Sequence, residues 1–316
     1  MTDTKKIALL FPGQGGQYIG MGKELFDNFE IARNVIETAK KITGHPIDDL
    51  CFNGPVEKLK ETLSSQLGIL SVSIMAFEVL KHKVPSLTFD YTAGLSLGEY
   101  SAFYAAGVLG MESTFSLVHK RATHMQKACE KKSGTMVSIL GLEEEIVSQV
   151  CKEINGFCAI ANLNCPGQIV VSCDKSVVAD VIELSKTKGA KRSIEIQVAG
   201  AFHSDYMKSA MEDFSDDVDS AVFNLDAASK IVFNVTSDTL SSGEDIKELL
   251  KKQVISPVLW EKSIRFMIES GVMHFIEIGP GKVLGGLLKR IDRKFPYSNV
   301  ENIESLEKAI DQINNL

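Results

Sequence analysis

Ser96 stands in a setting that could make it a nucleophile. It is the centre of the pentapeptide Gly-Leu-Ser-Leu-Gly at 94–98, between a β-prone run at 87–91 and a helical pattern at 100–106. This order is the layout of a nucleophile elbow, in which glycines permit a sharp turn that exposes the hydroxyl. The N–H groups that begin the helix can then hold an oxyanion. The pentapeptide alone is a weak signal, and the flanking elements favour this interpretation.

A serine nucleophile needs a base, and the chain offers six histidines. His203 lies among small residues in Ala-Gly-Ala-Phe-His-Ser at 199–204, after a predicted strand, and is the best placed to face a cleft. His274 lies inside an apolar run at 272–276, where a histidine is usually a core group. The other four lie in a loop, at a helix end and on a helix surface. We therefore favour His203, although no acid stands out to orient it.

Two glycine-rich turns could suggest nucleotide sites. The first, Pro-Gly-Gln-Gly-Gly-Gln at 12–17, follows an apolar strand at 7–11, but the dinucleotide fingerprint requires glycine where Tyr18 stands. The second, at 279–282, lacks the Gly-Lys-Ser/Thr ending of a phosphate loop. Both are interpreted as turns between strand and helix. The first could also direct its backbone N–H groups at the serine turn across the sheet edge.

An arginine follows the elbow on a predicted helix at 114–126. Its apolar stripe is formed by Phe115, Val118, Ala122 and Met125. Arg121 lies next to this stripe. From the pattern alone, a solvated position is the favoured interpretation.

The segment between 134 and 198 has its own pattern of elements. Strands and helices follow in the order β-α-β-β-α-β, which is the ferredoxin-like order. Asn162 and Asn164 flank its hairpin, and asparagine in a turn needs no function. We predict a ferredoxin-like α+β subdomain at 133–199, inserted into a core formed by 1–132 and 200–316. The predicted elements of the insertion are strands at 135–140, 157–163, 168–173 and 192–198 and helices at 143–154 and 177–188.

The rest of the chain alternates between helix and strand, which indicates an α/β core with a parallel sheet. A helical region at 56–80 is expected to break near Gln66 and the serines that surround it. The other predicted elements are helices at 25–41, 245–253, 260–270, 284–291 and 304–313 and strands at 230–234 and 272–278.

Composition narrows the class of protein. The chain has 316 residues, 44% hydrophobic and 24% charged, and a net charge of -7, so nucleic acid and anionic membranes are not expected partners. Its six cysteines form no Cys-x-x-Cys pair and no metal-ligand spacing, which favours reduced thiols and no metal. We expect no signal peptide, because residues 1–6 are polar and the next apolar run is short, and no apolar run long enough to cross a bilayer. A cytoplasmic monomer is expected.

Seven motifs in order resemble the malonyl-CoA:acyl carrier protein transacylase family, over nearly the whole chain. The resemblance implies an α/β-hydrolase-like core with a ferredoxin-like insertion, in agreement with the element order. The motifs are Phe11-Pro12-Gly13-Gln14-Gly15, Gly94-x-Ser96-Leu97-Gly98-Glu99-Tyr100, Lys120-Arg121, Ile160-Ala161-Asn162-x-Asn164-x-Pro166-Gly167-Gln168, Gly200-Ala201-Phe202-His203-Ser204, Gln253-x-x-Ser256-Pro257-Val258-x-Trp260 and Glu277-Ile278-Gly279-Pro280-Gly281.

The resemblance also implies roles for the reacting groups. Ser96 is the nucleophile and His203 its general base. The backbone N–H groups of Gln14 and Leu97 form the oxyanion hole. A main-chain carbonyl at Gln253 orients the imidazole, which accounts for the missing acid.

Substrate recognition is implied for three further residues. Arg121 holds the malonyl carboxylate, and Asn162 contributes to substrate binding. Phe202 resembles the malonyl-selecting form of the family, since its bulk leaves little room for an α-methyl branch. The chain departs from the family at Leu95, where histidine is usual, which affects the hydrogen bonding beside the serine and could mark an enzyme of a polyketide synthase.

The implied reaction is a ping-pong transfer without a cofactor. Malonyl-CoA esterifies the serine, and the malonyl group then passes to the phosphopantetheine thiol of acyl carrier protein, in fatty acid biosynthesis. Two alternatives stay open. One is a malonyl acyltransferase that serves a polyketide synthase in trans, and the other is a serine hydrolase such as an esterase.

Overall fold

Two four-stranded sheets organise residues 5–241 and 245–315, the part of the chain that the computed structural model describes. The strands are β1 Lys6–Phe11, β2 Tyr91–Gly94, β3 Gly134–Leu140, β4 Cys158–Cys165, β5 Gln168–Asp174, β6 Arg192–Ile196, β7 Val272–Ile278 and β8 Tyr297–Val300. The helices are α1 Lys23–Asn28, α2 Glu30–Thr43, α3 Ile47–Phe52, α4 Val56–Leu59, α5 Thr62–Lys83, α6 Gly98–Ala106, α7 Met111–Lys131, α8 Glu144–Glu153, α9 Val178–Thr187, α10 Lys208–Ser220, α11 Ile246–Ile255, α12 Trp260–Glu269, α13 Val283–Ile291 and α14 Ile303–Asn314.

The first sheet is parallel, with the strand order β2-β1-β7-β8. Strands β1, β2 and β7 are largely apolar and almost wholly buried, as expected where helices cover both faces of a parallel sheet, whereas the edge strand β8 is only half buried. The register pairs Phe11 with Gly94. The loops that follow β1 and β2 therefore leave the same sheet edge side by side, which brings the first glycine turn next to the serine turn.

The second sheet is antiparallel, with the order β4-β5-β3-β6. Together with α8 and α9 it has the predicted ferredoxin-like order. Val137 and Ile139 of β3 pack with these helices in a separate apolar cluster. Met136, whose side chain points to the opposite face of the strand, joins the large core cluster instead. The sheet thus presents one face to its own helices and the other to the rest of the protein.

The helices before the serine turn differ from their predicted bounds. The helix expected at 25–41 is two helices, α1 and α2, because Phe29 adopts an extended conformation between them. The region 56–80 breaks after α4, and α5 runs unbroken through Gln66 and the serines. Two of those serines donate their hydroxyls within the helix, Ser65 to the Thr62 carbonyl at 3.2 Å and Ser71 to the Leu67 carbonyl at 2.7 Å, which is compatible with a continuous helix.

Helix α5 also corrects the expectation about apolar runs. Over 22 residues it is long and apolar enough to cross a membrane by length and composition. However, 83% of its apolar window is buried inside the protein, and the core helix of a globular protein passes the same test. The helix is therefore only weak evidence for a membrane span.

Two predicted strands are displaced. The run at 87–91 contributes only Tyr91 to β2, because Asp90 turns aside to accept a hydrogen bond from the Ile7 N–H at 3.0 Å. The strand predicted at 230–234 is replaced by a 3₁₀ helix, Leu225–Lys230, and a single bridge from Ile231 to β2. Helices α3 and α10 and strand β8 were not predicted.

Candidate active site

The turn that carries Ser96 is sharp and depends on its glycines. β2 ends at Gly94 and α6 begins at Gly98, so the turn spans three residues. A Cβ on Gly94 would lie 1.8 Å from the Gly98 carbonyl carbon, and one on Gly98 would lie 2.1 Å from the Phe11 oxygen. Ser96 itself has φ 53°, a left-handed conformation that is unfavourable for a residue with a side chain. The predicted elbow is therefore present, with backbone strain at the serine.

Asn234 holds this turn from the side. Its Oδ1 accepts a hydrogen bond from the Ser96 N–H at 2.7 Å, and its Nδ2 donates to the Gly94 carbonyl at 2.7 Å. The side chain is buried, so both bonds are shielded from water. Two hydrogen bonds thus offset the strained geometry.

His203 reaches the serine from the end of the loop after β6. Its Nε2 lies 2.7 Å from the Ser96 Oγ, and its Nδ1 lies 2.9 Å from the Gln253 carbonyl oxygen. Because that carbonyl can only accept, Nδ1 carries the proton and Nε2 is free to accept the serine proton. Burial and the nearby Arg121 cation lower the pKa of His203 to about 4. The imidazole is therefore neutral at physiological pH.

Arg121 is buried, only 1% exposed, so the solvated position expected from the helix pattern is wrong. Its guanidinium donates to the Gln66 Oε1 at 2.6 Å, to the Gln253 Oε1 at 3.0 Å and to the Ser96 Oγ at 3.2 Å. Burial lowers the pKa of the guanidinium from its ordinary value. Every one of these partners is neutral, which leaves a buried cation beside the serine hydroxyl.

A buried acid, Glu99, lies beneath the site and was missed by the sequence reasoning. Its Oε1 accepts a hydrogen bond from the Asn234 backbone N–H at 2.8 Å, and its Oε2 accepts one from the Gln253 Nε2. Burial raises the pKa of Glu99 to about 7. Glu99 thus links Asn234, which holds the serine turn, to Gln253, which orients His203. The one sequence feature that could have indicated a role for Glu99 is its place in the elbow motif, one helical turn after Ser96.

The two amides expected to form an oxyanion hole lie beside the serine. Leu97 follows it at the start of α6. The Gln14 loop is pressed against the elbow, since a Cβ on Gly13 would lie 2.3 Å from the Leu95 oxygen. Within the described residues, neither the Gln14 nor the Leu97 backbone N–H donates a hydrogen bond to the protein. Both donors remain available to another acceptor.

The remaining predicted residues line one cleft with the serine. Asn162 and Phe202 line this cleft together with Gln14, Ser96 and His203. Both side chains are mostly buried, and Asn162 lies where the pairing of β4 is irregular. The opposite wall comes mostly from the antiparallel sheet. The structure thus brings the predicted residues together around a single cleft.

No group of three or more His, Cys, Asp or Glu side chains within the described ranges is arranged to hold a metal ion. All six cysteines are free thiols. The described part of the molecule therefore offers a site made of protein groups, with a hydroxyl, an imidazole and a guanidinium in contact.

A parallel α/β sheet with a serine on an elbow and a neutral imidazole within hydrogen-bond distance is typical of enzymes that transfer an acyl group through a serine ester. The model of the acyl transferase domain family matches residues 8–310, and the chain belongs to this family.

Relatives with curated names cover nearly the whole chain. The malonyl CoA-acyl carrier protein transacylase of Bacillus subtilis is 42% identical over 98% of this chain and 97% of its own length. That of Staphylococcus aureus strain MSSA476 is 39% identical over 96% and 97%. The family predicted from the seven motifs is confirmed.

Solved structures give the same result for the fold. A malonyl CoA-acyl carrier protein transacylase from Clostridium perfringens superposes with a TM-score of 0.90 at 36% identity, and 98% of each chain is covered. A malonyl-transacylase solved in complex with a type II polyketide synthase acyl-carrier protein superposes with a TM-score of 0.92 at 32% identity, over 97% of this chain and 99% of that one. The predicted fold class is confirmed.

Proposed function

We propose that this chain transfers the malonyl group of malonyl-CoA to the phosphopantetheine thiol of an acyl carrier protein, in fatty acid biosynthesis. The observation that carries the proposal is the convergence on the Ser96 Oγ of the His203 imidazole at 2.7 Å and the Arg121 guanidinium at 3.2 Å. The first provides a base for an acyl ester, and the second provides a cation for an acidic acyl group. The names of the relatives support the same substrates.

The first half of the reaction loads the serine. The Ser96 Oγ attacks the thioester carbonyl of malonyl-CoA while His203 Nε2 accepts its proton. The N–H groups of Gln14 and Leu97 donate to the oxyanion that develops, a contribution that is usually the largest in such reactions. The coenzyme A sulfur then leaves with the proton from His203.

The second half returns the serine to its free state. The phosphopantetheine thiol gives its proton to His203 and attacks the ester carbonyl, and Ser96 leaves with that proton. Throughout, the Gln253 carbonyl holds the Nδ1–H of the imidazole at 2.9 Å, so that Nε2 points at the serine. A carbonyl in this role stabilises the imidazolium without a carboxylate.

Recognition of malonyl rests on Arg121 in this proposal. Within the described ranges the guanidinium forms hydrogen bonds with neutral groups and no ion pair with an acid. A buried cation whose hydrogen-bond partners are all neutral is costly, and a malonyl carboxylate would replace its contact with the serine by two parallel hydrogen bonds. Asn162 and Phe202 line the cleft beside the acyl group, and the bulk of Phe202 opposes an α-methyl branch.

The division of the chain belongs to this proposal as well. Residues 1–132 and 200–316 form the core that carries the reacting groups, and residues 133–199 form the inserted wall of the cleft. We infer a cytoplasmic monomer whose substrates are malonyl-CoA and the carrier protein and whose reaction needs no cofactor.

The test separates transfer from hydrolysis. Incubation with malonyl-CoA alone should give a malonyl-enzyme in intact mass spectrometry, and addition of holo-acyl carrier protein should discharge it to malonyl-carrier. Rapid release of free malonate without carrier would indicate a hydrolase instead. Carrier proteins of fatty acid and polyketide synthesis from the same organism, compared by kcat/KM, would assign the pathway.

A further inference from the structure

A pair of cysteines outside the active site lies in sulfur–sulfur contact. Cys151 lies in the last turn of α8, and Cys158 is the first residue of β4. The Cys158 thiol donates a hydrogen bond to the Cys151 sulfur across 3.4 Å. Neither residue lines the cleft of Ser96. This contact has no part in the acyl transfer described above.

The turn between the two cysteines holds them in this position. Gly156 adopts φ 150°, and a Cβ there would lie 2.8 Å from the Val177 side chain. The Phe157 N–H donates to the Asp174 side chain at 3.0 Å, which ties the end of the turn to β5. The short connection therefore returns the chain from α8 to β4 with both side chains on the same side.

The two thiols differ in acidity. The hydrogen bond from Cys158 lowers the pKa of Cys151, and the same bond and burial raise the pKa of Cys158. Burial raises the pKa of Cys51 to about 12 and that of Cys129 to about 11. Because the thiolate is the reactive form, Cys151 is the nucleophilic member of the pair.

Access also distinguishes this pair. Cys151 and Cys158 are both partly exposed, whereas Cys51, Cys165 and Cys173 are buried. Cys129 is partly exposed too, but it has no sulfur in contact among the described residues. A small oxidant can therefore reach Cys151, and a second thiol is already in place to respond.

We propose that Cys151 and Cys158 form an oxidative modification site that a peroxide converts to an intramolecular disulfide. The Cys151 thiolate attacks one peroxide oxygen, the O–O bond breaks, and the leaving hydroxide takes a proton to become water. The Cys158 thiol loses its proton and attacks the resulting sulfenic sulfur, the S–O bond breaks, and a second water leaves. Two thiols and one hydrogen peroxide thus give one disulfide and two waters.

The geometry requires little movement. The sulfur atoms must approach from 3.4 Å to about 2 Å, the length of a disulfide bond. Cys173 is a competing partner, because it pairs with Cys158 in the register of β4 and β5. It is fully buried, however, and burial raises its pKa to about 11, so it is the slower nucleophile.

The experiment is a thiol map of the reduced full chain after exposure to an equal amount of hydrogen peroxide. We expect Cys151 and Cys158 to be lost first, at least about tenfold faster than Cys129, and joined in one peptide pair that dithiothreitol separates. A bridge between Cys158 and Cys173, or equal loss at all six cysteines, would overturn the proposal. This thiol map uses the unaltered protein, so its result does not depend on whether a variant folds.

Three serine variants then assign the order of the steps. Cys158→Ser should stop at a sulfenic acid on Cys151, trapped by dimedone, because the second thiol is absent. Cys151→Ser should leave Cys158 a free thiol. Cys129→Ser is the matched control, a partly exposed cysteine without a sulfur neighbour, and it should keep the disulfide. A sulfenic acid on Cys158 in Cys151→Ser would refute the assignment of the nucleophile.

Discussion

The two walls of the cleft differ in polarity and in hydrogen bonding. On the core side, Ser96, His203 and Gln253 are linked by hydrogen bonds that continue to buried Glu99. The insertion side is largely apolar, and its polar members, Asn162, Asn164 and Gln168, form no hydrogen bond to Ser96 or His203. Its apolar lining comes from Met136, Val170, Ile196 and Val198. The comparison suggests that the core side carries the reacting groups and the cation that recognises the acyl group, while the insertion side closes the cleft with a mainly apolar surface.

The largest effect should come from the core side. Ser96→Ala removes the only atom that can carry the acyl group in the proposed reaction, so we expect no malonyl-enzyme in intact mass spectrometry. A malonyl adduct on the alanine variant would show that another residue is the nucleophile.

His203→Ala should slow formation of the malonyl-enzyme by roughly 10²- to 10⁴-fold, since the serine loses its base. Stopped-flow release of coenzyme A would measure the rate. The circular dichroism spectrum should match that of the unaltered protein. A loss of less than tenfold in a folded variant would assign the base to another group.

Arg121→Ala should change which substrate is preferred. Hydrogen bonds to charged groups contribute about 1.5–3 kcal/mol each, so loss of two should reduce kcat/KM for malonyl-CoA by roughly 10²- to 10⁴-fold. Acetyl-CoA has no carboxylate and should lose little. Arg121→Lys is the matched control, because it keeps the charge and loses the paired geometry, and it should not restore the malonyl rate fully. Parallel loss of both substrates would mean that Arg121 only supports the fold.

The pH dependence of loading tests the buried imidazole. The proposed base must be neutral, and burial lowers the pKa of His203 to about 4. We therefore expect kcat/KM for malonyl-CoA to stay level as the pH falls from 8 to near 5, and then to decrease about tenfold per pH unit below 4. Brief acid exposure followed by assay at neutral pH controls for unfolding. Because the pKa of Glu99 in the same network is raised to about 7, a decrease centred near 6.5 contradicts the buried neutral imidazole only if it persists in Glu99→Gln.

The smallest effect should come from Phe202, a core residue that lines the cleft next to the insertion. Phe202→Ala enlarges the cleft and should raise kcat/KM for methylmalonyl-CoA relative to malonyl-CoA by about tenfold at most. Phe202→Leu is the control with less loss of buried surface, and it should give a smaller change. An unchanged ratio in both variants, with the melting temperature retained, would remove Phe202 from the selection of substrate.

The order of the elements between 134 and 196 could be predicted for a physical reason. The six elements are short, their apolar alternation is local, and β4 and β5 pair directly as a hairpin. Local patterns indicated Ser96 and His203. The family resemblance added partners such as Gln253, which no local pattern could bring to Ser96, because the two residues lie far apart in the sequence.

The burial of Arg121 could not be predicted from the local sequence pattern. Its burial depends on Gln66 and Gln253, from helices that precede and follow it in the chain, and a helical pattern contains no information about such partners. Asn234 was missed for the same reason. Its apolar neighbours suggested a strand at 230–234, whereas its side chain forms hydrogen bonds to Ser96 and Gly94 of the elbow. Polar groups buried through tertiary contacts are the part of the site that a single sequence conceals.

Helix α5 has a consequence for how the chain is made. It packs against α1, α2, α3, α4 and α6, but also against α7, β7, β8 and α14, and α14 is synthesised last. A nascent chain that ends before residue 111 therefore lacks α7 and leaves one side of this apolar helix uncovered. We expect such ribosome-bound fragments to recruit chaperones more strongly than the full chain does, a difference that crosslinking on stalled ribosomes would measure. The long apolar helix at the centre of the core is thus completely covered only after α7 and the C-terminal elements have been synthesised.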